Sequence, residues 1–171
     1  MPNAAPTMQD KTAELLVACT AASAAARDFL DAARAGLTTR LAASGRISNS
    51  ALEAEQHAAH ALAWVATCVE SLEQMRLWAG RLDDEGQLGE MEQLILRIAF
   101  GEYLSQLRGG IPMSQGEIAR PQDMGTDAVL ADTPEIQTLA AGNTDGARKR
   151  LVALIIEAEG RATFGATGLD E

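Results

Sequence analysis

Apolar residues recur at spacings of three and four along the first part of the chain. From about Asp10 to Ala43 the positions Leu15, Cys19, Ala22, Ala26, Phe29, Ala33, Leu37 and Leu41 form one stripe, the period of a helix that buries a single face. Several of these side chains are small, so a neighbouring helix can approach closely. Ser44-Gly45 ends the pattern, with Gly45 suited to the left-handed residue that follows a helix.

The second pattern has two possible starts. Ser50 with Glu53 makes a capping box, while a start at Ser48 sets Ile47 against Leu52 as a hydrophobic staple. It continues through Leu62, Val65, Val69, Leu72 and Ala79 to Leu82, and Asp83-Asp84-Glu85-Gly86 breaks it. A third helix, from about Leu88 to Leu107, is apolar on nearly every side over Leu94-Ile95-Leu96-Arg97-Ile98-Ala99-Phe100. That pattern predicts the most buried element of the fold. Gly109-Gly110-Ile111-Pro112 stops it, because proline cannot continue a helix.

Thr133-Pro134-Glu135 opens a short helix with proline in its first turn, closing at Gly142. A last helix, about Thr144 to Phe164, sets Leu151, Leu154, Ile155 and Ala158 on one face. No internal repeat and no strand-like alternation interrupts these periods. The expected fold is all-α: an antiparallel four-helix bundle with an additional short helix and one long loop. The bundle spans residues 10–164, after a disordered leader over 1–9 and before a linker-like end over 165–171.

The loop is the least ordinary part of this plan. Bundle connections usually run ~2–8 residues, and the irregular stretch here occupies residues 110–131. It carries Ile111, Met113, Ile118 and Met124, apolar residues for which a solvated loop has no use. They suggest a docking surface, with a plug that folds back on one end of the bundle and a mere connection as the alternatives.

Composition narrows the partners. At 171 residues the chain suffices for one domain with a real core, and 47% hydrophobic residues exclude general disorder. A net charge of −10 argues against a nucleic-acid partner, whose phosphates need a basic surface. Arg148-Lys149-Arg150 is the one basic cluster and reads as a solvated turn, with ion pairing to acidic neighbours as the alternative. Two cysteines, Cys19 and Cys68, are too few for a disulfide framework and read as buried thiols. The start, Met1-Pro2-Asn3-Ala4-Ala5-Pro6, lacks the features of a signal peptide, and no stretch approaches the ~20 apolar residues that span a bilayer. The expected compartment is cytoplasmic, with no membrane partner.

Candidate chemistry is thin. Glu53, His57 and His60 stand at helical spacing and could ligate a metal. No glutamate is followed by histidine three residues on, as a di-iron bundle requires, so a packed or solvated histidine pair is the expected reading. Met113-Ser114-Gln115-Gly116 lacks a nucleophile elbow, and Gly109, Gly110 and Gly116 do not make a phosphate loop. Trp64 and Trp78 read as core or interface anchors. No catalytic, cofactor-binding or metal-binding residue is nominated.

The run Phe100-Gly101-Glu102-Tyr103-Leu104-Ser105-Gln106-Leu107-Arg108-Gly109-Gly110-Ile111-Pro112-Met113-Ser114-Gln115-Gly116-Glu117 is unusual in its order. It resembles the N-terminal extension of the (2S)-methylsuccinyl-CoA dehydrogenases, a branch of the acyl-CoA dehydrogenase flavoproteins. Glu55-Gln56-His57-Ala58-Ala59-His60-Ala61-Leu62-Ala63-Trp64 and the close, Gly165-Ala166-Thr167-Gly168-Leu169-Asp170-Glu171, are similar to the same extension. The likeness covers most of residues 10–171 and is most specific over 100–117.

The resemblance implies an oxidoreductase that uses FAD to desaturate a branched acyl-CoA and passes electrons to an electron-transfer flavoprotein. It places the catalytic glutamate, the flavin site and the acyl-CoA cavity in a body outside this chain, so no family catalytic residue is carried onto any position here. The expected role is an accessory domain that packs on the dehydrogenase body or self-associates, itself without cofactor. A stand-alone protein–protein interaction bundle is the alternative, and a small metal- or ligand-binding bundle a third reading.

Overall fold

A computed structural model describes residues 8–42, 45–125 and 127–159. The expected leader, save Met8 and Gln9, the linker-like end and the close of the last helix at Phe164 lie outside the described residues. Six α-helices are described: α1 (Met8–Leu41), α2 (Asn49–Ala54), α3 (Gln56–Asp84), α4 (Glu90–Gly109), α5 (Pro134–Gly142) and α6 (Asp145–Glu157). Between α4 and α5 lie two short strands, β1 (Ile111–Pro112) and β2 (Ile118–Ala119), and a 3₁₀ turn, Pro121–Met124. The fold is all-α apart from this small hairpin.

The stripe on α1 is the spine of the core. Leu15, Cys19, Ala22, Ala26, Phe29, Ala33 and Leu37 are all buried, and each large member contributes about 1.5–3 kcal/mol by leaving water. Val65, Val69, Leu72, Ala79 and Leu82 of α3 face them, joined by Leu96, Phe100, Leu104 and Leu107 of α4. The helices α1 and α3 run antiparallel, since Arg27 meets Glu70 while Arg40 meets Glu55. Small side chains at Ala22, Ala26, Ala33, Ala61 and Ala79 let their axes come close.

Local side-chain caps settle three of the described helix starts. Ser48, the earlier of the two candidate starts, caps α2 by accepting a hydrogen bond from the Ala51 amide at 3.1 Å. Thr133 and Thr144 accept in the same way from the amides of Ile136 and Ala147, satisfying donors that the first helical turn leaves free.

Four features depart from the sequence pattern. The second helix is not continuous: Glu55, at φ −106° and ψ 18°, separates α2 from α3. Its carboxylate is drawn 3.1 Å from the Arg40 guanidinium at the end of α1. The 110–131 stretch contains the β1–β2 hairpin, too short for any alternation to be legible. The helix α4 is central, packing on α1, α3, α5 and α6, yet Ile95, Ile98 and Ala99 are only half-buried. The cause is the last departure. The short α5 buries Ile136 and Leu139 and completes the bundle, whereas the longer α6 has no buried residue. The start and the middle of α4 are pinned from nearby positions on α6, Glu90 by Arg150 and Glu102 by Arg148. Twelve residues of helix span about 18 Å, so α6 lies across α4 and leaves part of it uncovered.

Candidate functional site

The four apolar loop residues divide into two pairs. Ile111 and Met124 are buried in the domain's own core. Met113 and Ile118 are half-buried, with Met113 packed against that core. The hairpin pairs Ile111 with Ala119 and Pro112 with Ile118. Its turn is closed by Met113 N–H donating to Glu117 O at 2.9 Å and Glu117 N–H to Ser114 O at 2.7 Å. Gln115 and Gly116 both have positive φ, 45° and 90°, a handedness that glycine adopts freely. Gly110 is required by contact: a Cβ there would stand 2.6 Å from Ile118 Cγ2.

Arg40 ties this loop to the bundle. Its guanidinium donates to the backbone carbonyl oxygens of Met124 and Gly125 and to the Glu55 carboxylate. The planar fork of arginine suits such convergent acceptors better than a lysine ammonium does. Gly125 follows in a left-handed conformation, φ 61°, with the guanidinium where a Cβ would project. Asp123 accepts from the Arg120 amide at 2.8 Å, and its other neighbour is His57, 3.8 Å away.

The histidines do not converge. Glu53 sits on α2, on the far side of the Glu55 interruption from His57 and His60. His60 Nε2 accepts a hydrogen bond from Trp64 Nε1 at 3.0 Å, which occupies the lone pair a metal would use. Among the described residues no three His, Cys, Asp or Glu side chains are grouped closely enough to hold a metal ion. Trp64 and Trp78 lean half-buried against the core. Cys19 and Cys68 are buried and free. Burial pushes their thiols up to about 12 and about 11 respectively, with Arg97 pulling slightly the other way on Cys19.

A further surface lies between α4 and α6. Ile95, Ile98, Ala99, Tyr103 and Leu151 line an open, mainly apolar cleft of about 410 Å³, with Glu102 and Arg148 at its edge. Beside it Val152, Ile155 and Ile156 of α6 are 55%, 44% and 70% exposed. The expected inward face of this helix is only partly realised, since Leu151, Leu154 and Ala158 are half-buried and Ile155 is exposed. A signal for this surface exists in the sequence. Leu151-Val152-Ala153-Leu154-Ile155-Ile156 is apolar all round, the pattern that on α4 marks a helix with neighbours on several sides.

The basic cluster at the start of α6 is paired, not merely solvated. Arg148 meets Glu102 at 3.0 Å, Lys149 meets Asp145 at 2.7 Å, and Arg150 meets Glu90 at 2.7 Å. Asn143, at the α5–α6 corner, donates to Glu102 at 3.0 Å and accepts from Arg148 at 2.8 Å. Hydrogen bonds from Gln106, Asn143 and Arg148, with the Arg148 charge, hold the Glu102 carboxyl below its ordinary range. Glu90 is lowered by its hydrogen bond to Arg150 and by that charge. No helix among the described residues is long and apolar enough to cross a membrane.

No protein-family model matches the chain. A search of curated proteins finds a (2S)-methylsuccinyl-CoA dehydrogenase from Cereibacter sphaeroides, 59% identical over 143 residues. The match takes in 84% of this chain and 26% of that protein. The chain thus spans about a quarter of the length of the relative it matches. Most of this chain is similar to one segment of that dehydrogenase, and the resemblance read from residues 55–64 and 100–117 points to the same enzyme.

Proposed function

We propose that this chain is an accessory helical domain of a methylsuccinyl-CoA dehydrogenase-type flavoenzyme, packing on the catalytic body and supplying no chemistry itself. The observation that carries this reading is high identity over most of the chain to only a quarter of a dehydrogenase. Such a pattern fits one domain of a longer enzyme, whose oxidoreductase activity, substrate and electron acceptor belong to the whole.

The α4–α6 cleft offers little to FAD. A dinucleotide cofactor calls for backbone N–H groups or free cations around its diphosphate. The arginines nearest the α4–α6 cleft are engaged with carboxylates, and the first turn of α6 is capped by Thr144. No step of a flavin reaction is assigned to this cleft. The Glu102 and Arg148 side chains hold the α5–α6 corner on α4, and the hairpin with Arg40 closes the other end of the bundle. The half-exposed Met113 and Ile118 are what the loop offers to a partner.

The chain expressed alone should be colourless and should reduce no dye with methylsuccinyl-CoA. Set in place of the matched segment of the Cereibacter sphaeroides enzyme, it should give a folded, flavin-loaded, active chimera. A flavin spectrum from the chain alone overturns the absence of chemistry. A chimera that folds yet gains neither stability nor assembly over the same enzyme lacking the segment overturns the packing role.

A further inference from the structure

We infer that the outer face of α6, together with the cleft it leaves on α4, is the surface that packs against the rest of the dehydrogenase chain. The inference rests on the accessory-domain reading above and adds the place of contact. A helix of 13 residues that buries none of them gains little from its own domain, because helix stability in proteins comes mainly from a packed apolar face. Yet α6 carries six consecutive apolar residues, and Val152, Ile155 and Ile156 stand in solvent beside a cleft lined by Ile95, Ile98 and Leu151. Contiguous exposed apolar surface of this kind marks a contact site.

Two observations choose the occupant. Three quarters of the matched dehydrogenase has no counterpart in this chain, so in such an enzyme this domain adjoins a much larger body. The alternative, a second copy, brings together two domains that each carry −10, which opposes association. The charges around the face are already neutralised within the domain, Arg148 by Glu102 and Arg150 by Glu90 and Glu157. A rim of satisfied ion pairs around an apolar centre suits a lasting contact within one chain, where linkage makes a modest area sufficient.

Hydrogen exchange on the chimera, compared with the isolated chain, tests the assignment. Amides of α6 should exchange at least tenfold more slowly in the chimera, while those of α1 around Val17, 68% exposed on another face, should be unchanged. Val152→Asp with Ile156→Asp should return α6 to its isolated rate without altering the melt of the isolated chain. Slowing confined to α1, or to the hairpin around Met113 and Ile118, overturns the assignment of the face and leaves the accessory-domain reading standing. No slowing anywhere overturns both. Sedimentation of the isolated chain as a dimer that the double variant abolishes overturns the choice of occupant.

Discussion

Gly101 of α4 lies so close to Asn143 at the α5–α6 corner that a Cβ on the glycine would stand 2.6 Å from the asparagine Cβ. It would also stand 2.8 Å from the carbonyl oxygen of Leu139. Glycine within a helix costs about 1 kcal/mol relative to alanine, and here the missing methyl lets α5 lie directly on α4. Gly101→Ala should therefore destabilise the domain despite its better helix propensity. Overpacking costs about 1–3 kcal/mol, and each net kcal/mol lowers the melting temperature of a chain this size by about 2–4 °C. A thermal melt that rises on Gly101→Ala would show that α5 does not pack there.

The uneven burial of α4 gives a second expectation. Leu96 is fully buried, while Ile98 faces the α4–α6 cleft and is half-buried. Leu96→Ala should cost about 2–5 kcal/mol, as core truncations do, and Ile98→Ala should cost clearly less in the isolated chain. Denaturant titrations of the two variants measure this directly. Equal losses would mean that α4 is enclosed on all sides.

For the loop, the structure separates residues that the sequence grouped. Ile111→Ser and Met124→Ser each remove a buried apolar side chain from the core and should lower stability by about 2–4 kcal/mol. Met113→Ser and Ile118→Ser should do markedly less, because both side chains are half-buried. Chemical unfolding of the four single variants tests the division. Similar losses in all four, or in none, would contradict it.

Acid should loosen α6 from α4. The Glu102 and Glu90 carboxyls lie below the ordinary value of 4.5 in the folded chain, through hydrogen bonds first and arginine charge second. A carboxyl lowered by folding adds stability in full above its unfolded value, and that contribution is lost as pH falls through the folded value. The contacts should thus be intact at pH 6–7 and weaken below about pH 4.5. Exchange or chemical shifts of α6 residues followed from pH 7 to pH 3 report the change. With Glu90→Gln and Glu102→Gln together, α6 should be looser at pH 7 and respond less to acid. An α6 held equally at both extremes would exclude these pairs as its clamp.

Much of the architecture was legible because its causes are short-range. The buried stripe on α1 needs only the 3.6-residue period, and seven of its eight expected positions, Leu15 through Leu37, are buried. Thr133 and Thr144 act on amides three residues away, so their capping roles follow from local order. The burial of Cys19 and Cys68 likewise follows from their places in helical stripes. The relation to one segment of a dehydrogenase was legible too, since order of residues carries ancestry independently of fold.

What the tertiary structure alone decided depends on groups distant in sequence. Arg40 and Glu55 meet across the α1–α3 corner, where the second helical pattern is interrupted. Met124 enters the core where Arg40 gathers the carbonyls of Met124 and Gly125 at one end of the bundle, and Ile111 enters it from β1, paired with Ala119. Periodicity says how many sides of a helix are apolar, not which neighbours arrive to cover them. The fourth place in the bundle goes to the short α5, through the close approach at Gly101, and α6 is left across the outside of α4. Its six apolar residues are plain in the sequence, but only the packed fold shows that this domain does not bury them, since burial is a property of every element that could have covered them.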